Sequence, residues 1–151
     1  MVVAALASLS CALIPTPTPE KHDLVVVSRV IYGDTIRLAS GEKVRLIGVD
    51  TPDTKHPRSP LEPLGRQATE FTRRLLKDKR VWLEYDRQRR DRYGRTLAYV
   101  YLEDGTFLNA EILRRGYGFA YTRYPCRHAD RFHALEREAR EGRRGLWAGN
   151  D

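Results

Sequence analysis

The chain has little cysteine and histidine, and each scarcity excludes something. Two cysteines, Cys11 and Cys126, in 151 residues build no disulfide framework and no cysteine-based zinc site. His128 and His133 are five residues apart, off the spacing that puts two ligands on one helical face, with no acidic partner evident beside them. The longest apolar run, Met1 to Ile14 interrupted by Ser8 and Ser10, is too short to span a bilayer. No internal repeat is present. No strongly amphipathic basic helix stands apart from those that build the core, which removes the membrane-surface class. Hydrophobic residues make up 41%, enough for a packed core and too many for wholesale disorder. The length suits one domain.

What is abundant is arginine. Lys and Arg total 27 against 20 Asp and Glu, a net charge of +7. Residues 76–151 carry +5 of it. The densest cluster is Arg87, Arg89, Arg90, Arg92 and Arg95, interleaved with Tyr85, Tyr93 and Tyr99. Guanidinium groups among aromatic rings suit a phosphate backbone carrying stackable bases. A solvated, arginine-biased surface explains the same composition, so charge alone does not decide.

Residues 1–20 form a separate segment. An apolar stretch of signal-peptide length, Val2 to Ile14, is followed by the linker Pro15-Thr-Pro-Thr-Pro19. This pattern predicts export to the medium, periplasm or cell surface, although no Lys or Arg precedes the apolar run. Without cleavage of a signal the location would be cytoplasmic. After removal of the segment Cys126 is a lone thiol, a structural residue.

Residues 21–151 form the folded domain. Leu24 to Ile31 is rich in β-branched residues, Gly33-Asp34 marks a turn into Thr35–Leu38, and Ser40-Gly41-Glu42 a turn into Lys43–Val49. The three runs predict an antiparallel meander. Asp50 to Pro63 holds four prolines and reads as a loop. Leu64, Ala68, Phe71 and Leu75 recur at helical spacing. Val81, Leu83 and Tyr85 alternate as a fourth strand, Arg95 to Leu102 is a fifth, Leu108 to Arg115 a short helix, and Ala129 to Glu141 a last helix facing Phe132, Leu135 and Ala139 inward. The class is α+β, and a five-stranded OB-fold β-barrel with three α-helices is one architecture that fits.

Asp34, Asp50 and Asp53 stand near the ends of the first three strands. If the meander pairs as read, Asp34 and Asp50 converge. Clustered carboxylates need a cation between them, and an oxygen-only set favours Ca²⁺ or Mg²⁺. Arg45, between Val44 and Leu46 in an apolar run, needs a partner or a ligand. Taken singly, Asp34 also reads as a turn residue, Asp50-Thr51-Pro52 as a cap, and Arg45 as a surface partner of Glu42.

Four ordered segments carry more. Val30-Ile-Tyr-Gly-Asp-Thr-Ile-Arg-Leu38, Val44-Arg-Leu-Ile-Gly-Val-Asp-Thr-Pro-Asp-Thr-Lys-His-Pro57, Asp91-Arg-Tyr-Gly-Arg-Thr-Leu-Ala-Tyr99 and Gly145-Leu-Trp147 closely resemble the staphylococcal nuclease (thermonuclease) family, over Val25 to Trp147. The resemblance implies an OB-fold barrel with three helices and a Ca²⁺-dependent nuclease, and nothing in the sequence suggests more than a monomer. Its substrates would be DNA and RNA, preferably single-stranded or frayed, cleaved at the 5′-O–P bond with little sequence preference to leave 3′-phosphates. By the same resemblance Asp34 and Asp50 match the calcium-holding carboxylates, and the Thr51 carbonyl a third ligand. Arg45 and Arg95 match the two arginines that grip the scissile phosphate. Arg92 and Tyr93 match contacts to a terminal phosphate, and Tyr121 a tyrosine lining the nucleotide pocket.

Two positions depart from the family pattern. Asp53 stands where the family carries its proposed general base, a glutamate; it keeps the carboxylate but is one methylene shorter. Tyr32 replaces an outer-shell aspartate. A catalytically weak or inactive OB-fold module that binds single-stranded nucleic acid is therefore the alternative, and the joint presence of Asp34, Asp50, Arg45 and Arg95 argues against it.

Overall fold

A computed structural model describes residues 23–52, 54 and 58–149. The apolar segment 1–20 with Cys11, and Asp53, lie outside the described residues. In chain order the elements are β1 (Val25–Tyr32), β2 (Thr35–Leu38), β3 (Lys43–Leu46), β4 (Val49–Asp50), α1 (Glu62–Leu76), β5 (Arg80–Glu84), β6 (Thr96–Leu102), α2 (Leu108–Arg114), β7 (Phe119–Ala120), α3 (Ala129–Glu141) and a 3₁₀ turn, Gly145–Trp147. No helix among the described residues is long and apolar enough to cross a membrane.

Five strands close a barrel in the order β1-β2-β3-β6-β5. The meander forms as expected, with β1–β2 and β2–β3 antiparallel. Strand β3 then pairs with β6 in parallel, and β5 returns antiparallel to β6 and closes on β1. Alternation decides what fills the barrel: Val30, Ile36, Val44, Leu46, Val81, Ala98, Val100 and Leu102 point inward and are buried. Leu108, Ile112 and Leu113 of α2 and Phe132 of α3 extend this core.

The predicted third strand, Lys43–Val49, is in fact two. Gly48 has φ +74, a left-handed conformation that breaks the ladder after Leu46. The chain then enters β4, which pairs with the equally short β7, Val49 opposite Ala120 and Asp50 opposite Phe119. Neither two-residue strand has enough sequence to show a period of two.

Helix α1 begins at Glu62, inside the predicted loop, because Pro63 falls in the first turn, where its missing N–H leaves no bond unmade. Its buried line is Gly65, Ala68, Thr72 and Leu76, one position on from three of the four predicted residues; Leu64, Phe71 and Leu75 are only half-buried. Close approach selects the small residues. A Cβ on Gly65 would lie 2.6 Å from the Pro52 carbonyl oxygen and 2.8 Å from Thr54 Cγ2. The Thr72 hydroxyl donates to the Gly33 carbonyl at 2.8 Å, pinning the helix to the β1–β2 turn. Phe71 instead stacks on Tyr117, ring centroids 4.6 Å apart.

A polar lock joins the arginine-rich segment to the loop before α3. The Tyr99 hydroxyl donates to Asp86 Oδ2 at 2.5 Å, and the Arg127 N–H donates to the same oxygen at 2.8 Å. Burial raises the Asp86 carboxyl, but these donors outweigh it and hold the group below its ordinary range. Burial, then the Asp86 partner, pushes the Tyr99 phenol far up.

Candidate active site

The site lies on the outer wall of the barrel, where the β1–β2 turn meets the end of β3. Turn residue Asp34 is buried, and donors surround its carboxylate. The Thr35 hydroxyl donates to Oδ1 at 2.8 Å, while the Thr51 N–H and hydroxyl donate to Oδ2 at 2.8 and 3.1 Å. Thr51 is thus a partner of Asp34, not a helix cap. Tyr32 faces Thr35 at the mouth of this hairpin.

Arg45 lies opposite Thr35, which puts its outward-pointing side chain beside the turn. Its Nη1 donates to the carbonyls of Leu46, at 2.7 Å, and Val49. Its Nη2 lies 3.1 Å from Asp50 Oδ1 and 3.5 Å from Asp34 Oδ2. Asp34 and Asp50 therefore converge on one guanidinium, and the surface pairing with Glu42 does not form: Glu42 meets Arg90 at 3.6 Å and accepts the Thr96 hydroxyl. The Asp50 side chain is half-exposed while those of Arg45 and Asp34 are only 13% and 9% exposed. Asp50 is thereby the open side of the cluster.

Arg95 precedes β6, two residues before Leu97, which lies opposite Arg45. A residue the sequence analysis did not single out positions it. Asp91 Oδ2 accepts the Arg95 Nε–H at 2.6 Å, and Oδ1 accepts the backbone N–H groups of Tyr93 and Arg95 at 2.9 and 3.0 Å. Burial raises the Asp91 carboxyl, yet these bonds and the Arg95 charge bring it below its ordinary value of 3.8. The available signal was turn chemistry: Asp91 and Gly94 are the first and fourth residues of a turn, closed by Gly94 N–H to the Asp91 carbonyl at 3.1 Å.

Replacing Asp91 with asparagine weakens the hold on Arg95, and a reaction that depends on that guanidinium should slow by about 10- to 100-fold, the cost of about an ångström of misplacement. Stability reports the carboxylate separately. A lowered folded-state pKa contributes above about 3.8 and is lost as pH falls through the lower folded value. Wild type should melt a few degrees above Asp91→Asn at neutral pH, a difference of about 1 kcal/mol. The melting curves should converge in acid below that value.

Tyr93 is exposed. Arg92 donates to its hydroxyl at 2.7 Å, and the Arg92 and Arg95 guanidinium carbons lie 4.9 and 5.4 Å from its ring centroid. Tyr121 follows β7, and its N–H donates to the Gly48 carbonyl at 2.9 Å, which ties it to the strand bearing Asp50. Arg92, Tyr93 and Arg95 thus group on one turn, and Tyr121 belongs to the β4 side.

The histidines and the cysteine stand apart. The His128 ring packs edge-on to Tyr99 and Phe107, and burial pushes its pKa below the usual range. His133 Nε2 is 2.8 Å from the Thr122 hydroxyl. Burial pushes the Cys126 thiol up, away from nucleophilic character. Among the described residues no group of three or more His, Cys, Asp or Glu side chains is placed to hold a metal.

A closed, five-stranded, OB-type barrel with a carboxylate–guanidinium cluster on its wall and a second arginine one strand away defines a class: small barrels built to meet an anionic ligand. The comparisons narrow it. The model of the family described as "Staphylococcal nuclease homologue" matches residues 43–149. A thermonuclease of Staphylococcus hyicus is 37% identical over 98% of this chain and 94% of its own length. A thermonuclease of Staphylococcus intermedius is 42% identical over 86% and 79%, and endonuclease YncB of Bacillus subtilis (strain 168) 38% over 82% and 61%. The chain belongs to the staphylococcal nuclease family.

Proposed function

We propose that the protein is a calcium-dependent nuclease. It hydrolyses DNA and RNA with little sequence preference and cleaves the 5′-O–P bond to leave 3′-phosphates. The observation that carries this reading is the convergence of Asp34 and Asp50 on Arg45 at the edge of the barrel. The names of the relatives, thermonuclease and endonuclease, support it.

The donor set fits calcium in kind. Two carboxylates face one cationic group, and with the Thr51 carbonyl they offer oxygen alone, the ligand type a hard divalent cation takes. Asp34, Asp50 and Thr51 would hold it. Bound calcium supplies positive charge to a phosphate oxygen and eases deprotonation of water.

The chain's own residues supply the rest. Arg45 and Arg95 bind the scissile phosphate and neutralise charge on its non-bridging oxygens as water adds to phosphorus. Asp53 takes the proton from that water. The P–O5′ bond breaks, the 5′-oxygen takes a proton from solvent and leaves as a hydroxyl, Asp53 gives its proton back to solvent, and the phosphate stays on the 3′-oxygen. Arg92 and Tyr93 hold a neighbouring phosphate, and Tyr121 packs near a base. Single strands and frayed ends suit such a site, because the nucleotide must splay to enter it. The protein acts as a monomer formed by residues 21–151, and the apolar segment before them directs export.

The test is cleavage of heat-denatured DNA by the purified chain, with calcium or with chelator, beside Asp53→Glu. Calcium-dependent cleavage is expected. The longer glutamate restores about 1 Å of reach and should raise kcat by about 10- to 100-fold. Binding without cleavage under every divalent ion tried would replace this reading with that of a nucleic-acid-binding OB module.

A further inference from the structure

We propose that the polynucleotide leaves the active site across the outer wall of the barrel, its phosphates held by a cross-strand row of four cations: Arg29, Arg37, Lys43 and Arg95. The proposal rests on the nuclease reading for its ligand and names the track that ligand follows.

The register builds the row. Arg29 lies opposite Arg37 across β1–β2, and Arg37 lies opposite Lys43 across β2–β3. Val44 lies opposite Thr96 across β3–β6, which brings Arg95, one residue earlier, alongside Lys43. Both line one cleft of about 520 Å³ with Tyr93 and Arg90. Strand alternation puts all four on one face, since their neighbours Val30, Ile36, Val44 and Thr96 are buried. Arg29 and Lys43 are exposed and Arg37 is half-exposed. The parallel row one step along the strands is Thr35, Arg45 and Leu97, so the track runs beside the catalytic row and shares Arg95 with the site.

Like charges directly opposite each other destabilise a sheet, and nearby carboxylates do not relieve these. Asp91 is taken by Arg95, Glu42 by Arg90 and Thr96, and Glu70 by Arg73 at 2.5 Å. No carboxylate among the described residues forms an ion pair with Arg29, Arg37 or Lys43. Three unneutralised cations in line await a polyanion. Neighbouring strands are about 4.8 Å apart, so the row spans about 14 Å, the length of a short stretch of single strand. Continuity with Arg95 selects a phosphodiester chain, and the exposed Tyr93 at its end offers a base a stacking face.

The test measures the salt dependence of binding of a single-stranded DNA 12-mer in chelator. It compares wild type, Arg29→Thr/Arg37→Thr/Lys43→Thr, and a control that removes equal charge from α3, Arg131→Ala/Arg137→Ala/Arg140→Ala. Threonine suits strands, so the row variant keeps its barrel. Each lost phosphate contact lowers the log–log slope by about 0.7, so the row variant should lose about 2 and the control close to none. With calcium, the ratio of kcat/KM for the 12-mer to that for a dinucleotide, too short to reach beyond Arg95, should fall about tenfold in the row variant. An unchanged slope, an equal loss in the control, or an unchanged ratio overturns the track while leaving the nuclease standing. Failure of wild type to cleave either the 12-mer or the dinucleotide, with the slope still lowered in the row variant, overturns the nuclease reading and keeps the row as a nucleic-acid surface. If the triple variant does not melt cooperatively, Arg37→Thr alone, with an expected slope loss of about 0.7, decides.

Discussion

Arg45→Lys lowers kcat on heat-denatured DNA by about 10³-fold, the upper end of the cost of one donor aimed at a transition-state oxyanion. The reason is geometric. Arg45 fixes its plane with Nη1 on two backbone carbonyls, Leu46 and Val49, while Nη2 faces Asp50 and Asp34. An ammonium is a point charge with three rotatable donors and cannot hold both carbonyls and both carboxylates from one position. Single-turnover cleavage of saturated enzyme separates this from weakened binding. Arg45→Ala adds a stability effect. It leaves Asp34, with a side chain only 9% exposed, without its cation, at a cost of about 2–3 kcal/mol because three hydrogen bonds remain. Calcium should raise the melting temperature of Arg45→Ala by more than that of wild type, since the added charge replaces the one removed. An equal calcium shift in the two proteins would show that Asp34 and Asp50 do not receive the ion.

Gly48→Ala should cost about 3 kcal/mol and lower the melting temperature by about 6–12 °C. Two effects add. The backbone at φ +74 disfavours any side chain, and the new Cβ would overlap Cδ2 and Cε2 of Phe132, a fully buried ring. Pairing the change with Phe132→Leu tests the division: relief of the overlap should recover part of the loss, and the strain at φ should remain. The consequence reaches the site. The Gly48 carbonyl accepts the Tyr121 N–H, and the next two residues are the strand that ends in Asp50. Activity per folded molecule should therefore fall as well as stability. Full specific activity at low temperature would mean that β4 holds Asp50 without help from the Gly48 turn.

Much of this was legible along the chain. The meander, the fourth and fifth strands and the last helix follow local periodicity, and the barrel and its helices formed as expected. Arg45 stood out because a charge inside an apolar strand needs a partner, Asp34 and Asp50 because clustered carboxylates need a cation, and Arg95 through the family resemblance. The misses share a cause: they depend on contacts between distant segments. Strands β4 and β7, two residues each, exist only because they pair with one another. Three positions of the buried line of α1 moved by one, to Gly65, Thr72 and Leu76, because the helix packs against residues 33 and 52, which its own periodicity does not encode. Asp91 did not stand out in the sequence, and only its 2.6 Å contact with Arg95 shows its task.

By itself the sequence determined the strand alternation, the turns, the family and the inventory of charged groups, since these are properties of neighbouring residues and of their order. Tertiary structure alone decided which charges meet. Closing the barrel turned Arg29, Arg37, Lys43 and Arg95, spread over 67 positions of the chain, into neighbours on one face. It also put Arg45 between two carboxylates 16 residues apart. Coulomb interactions depend on distance in space, and register sets that distance.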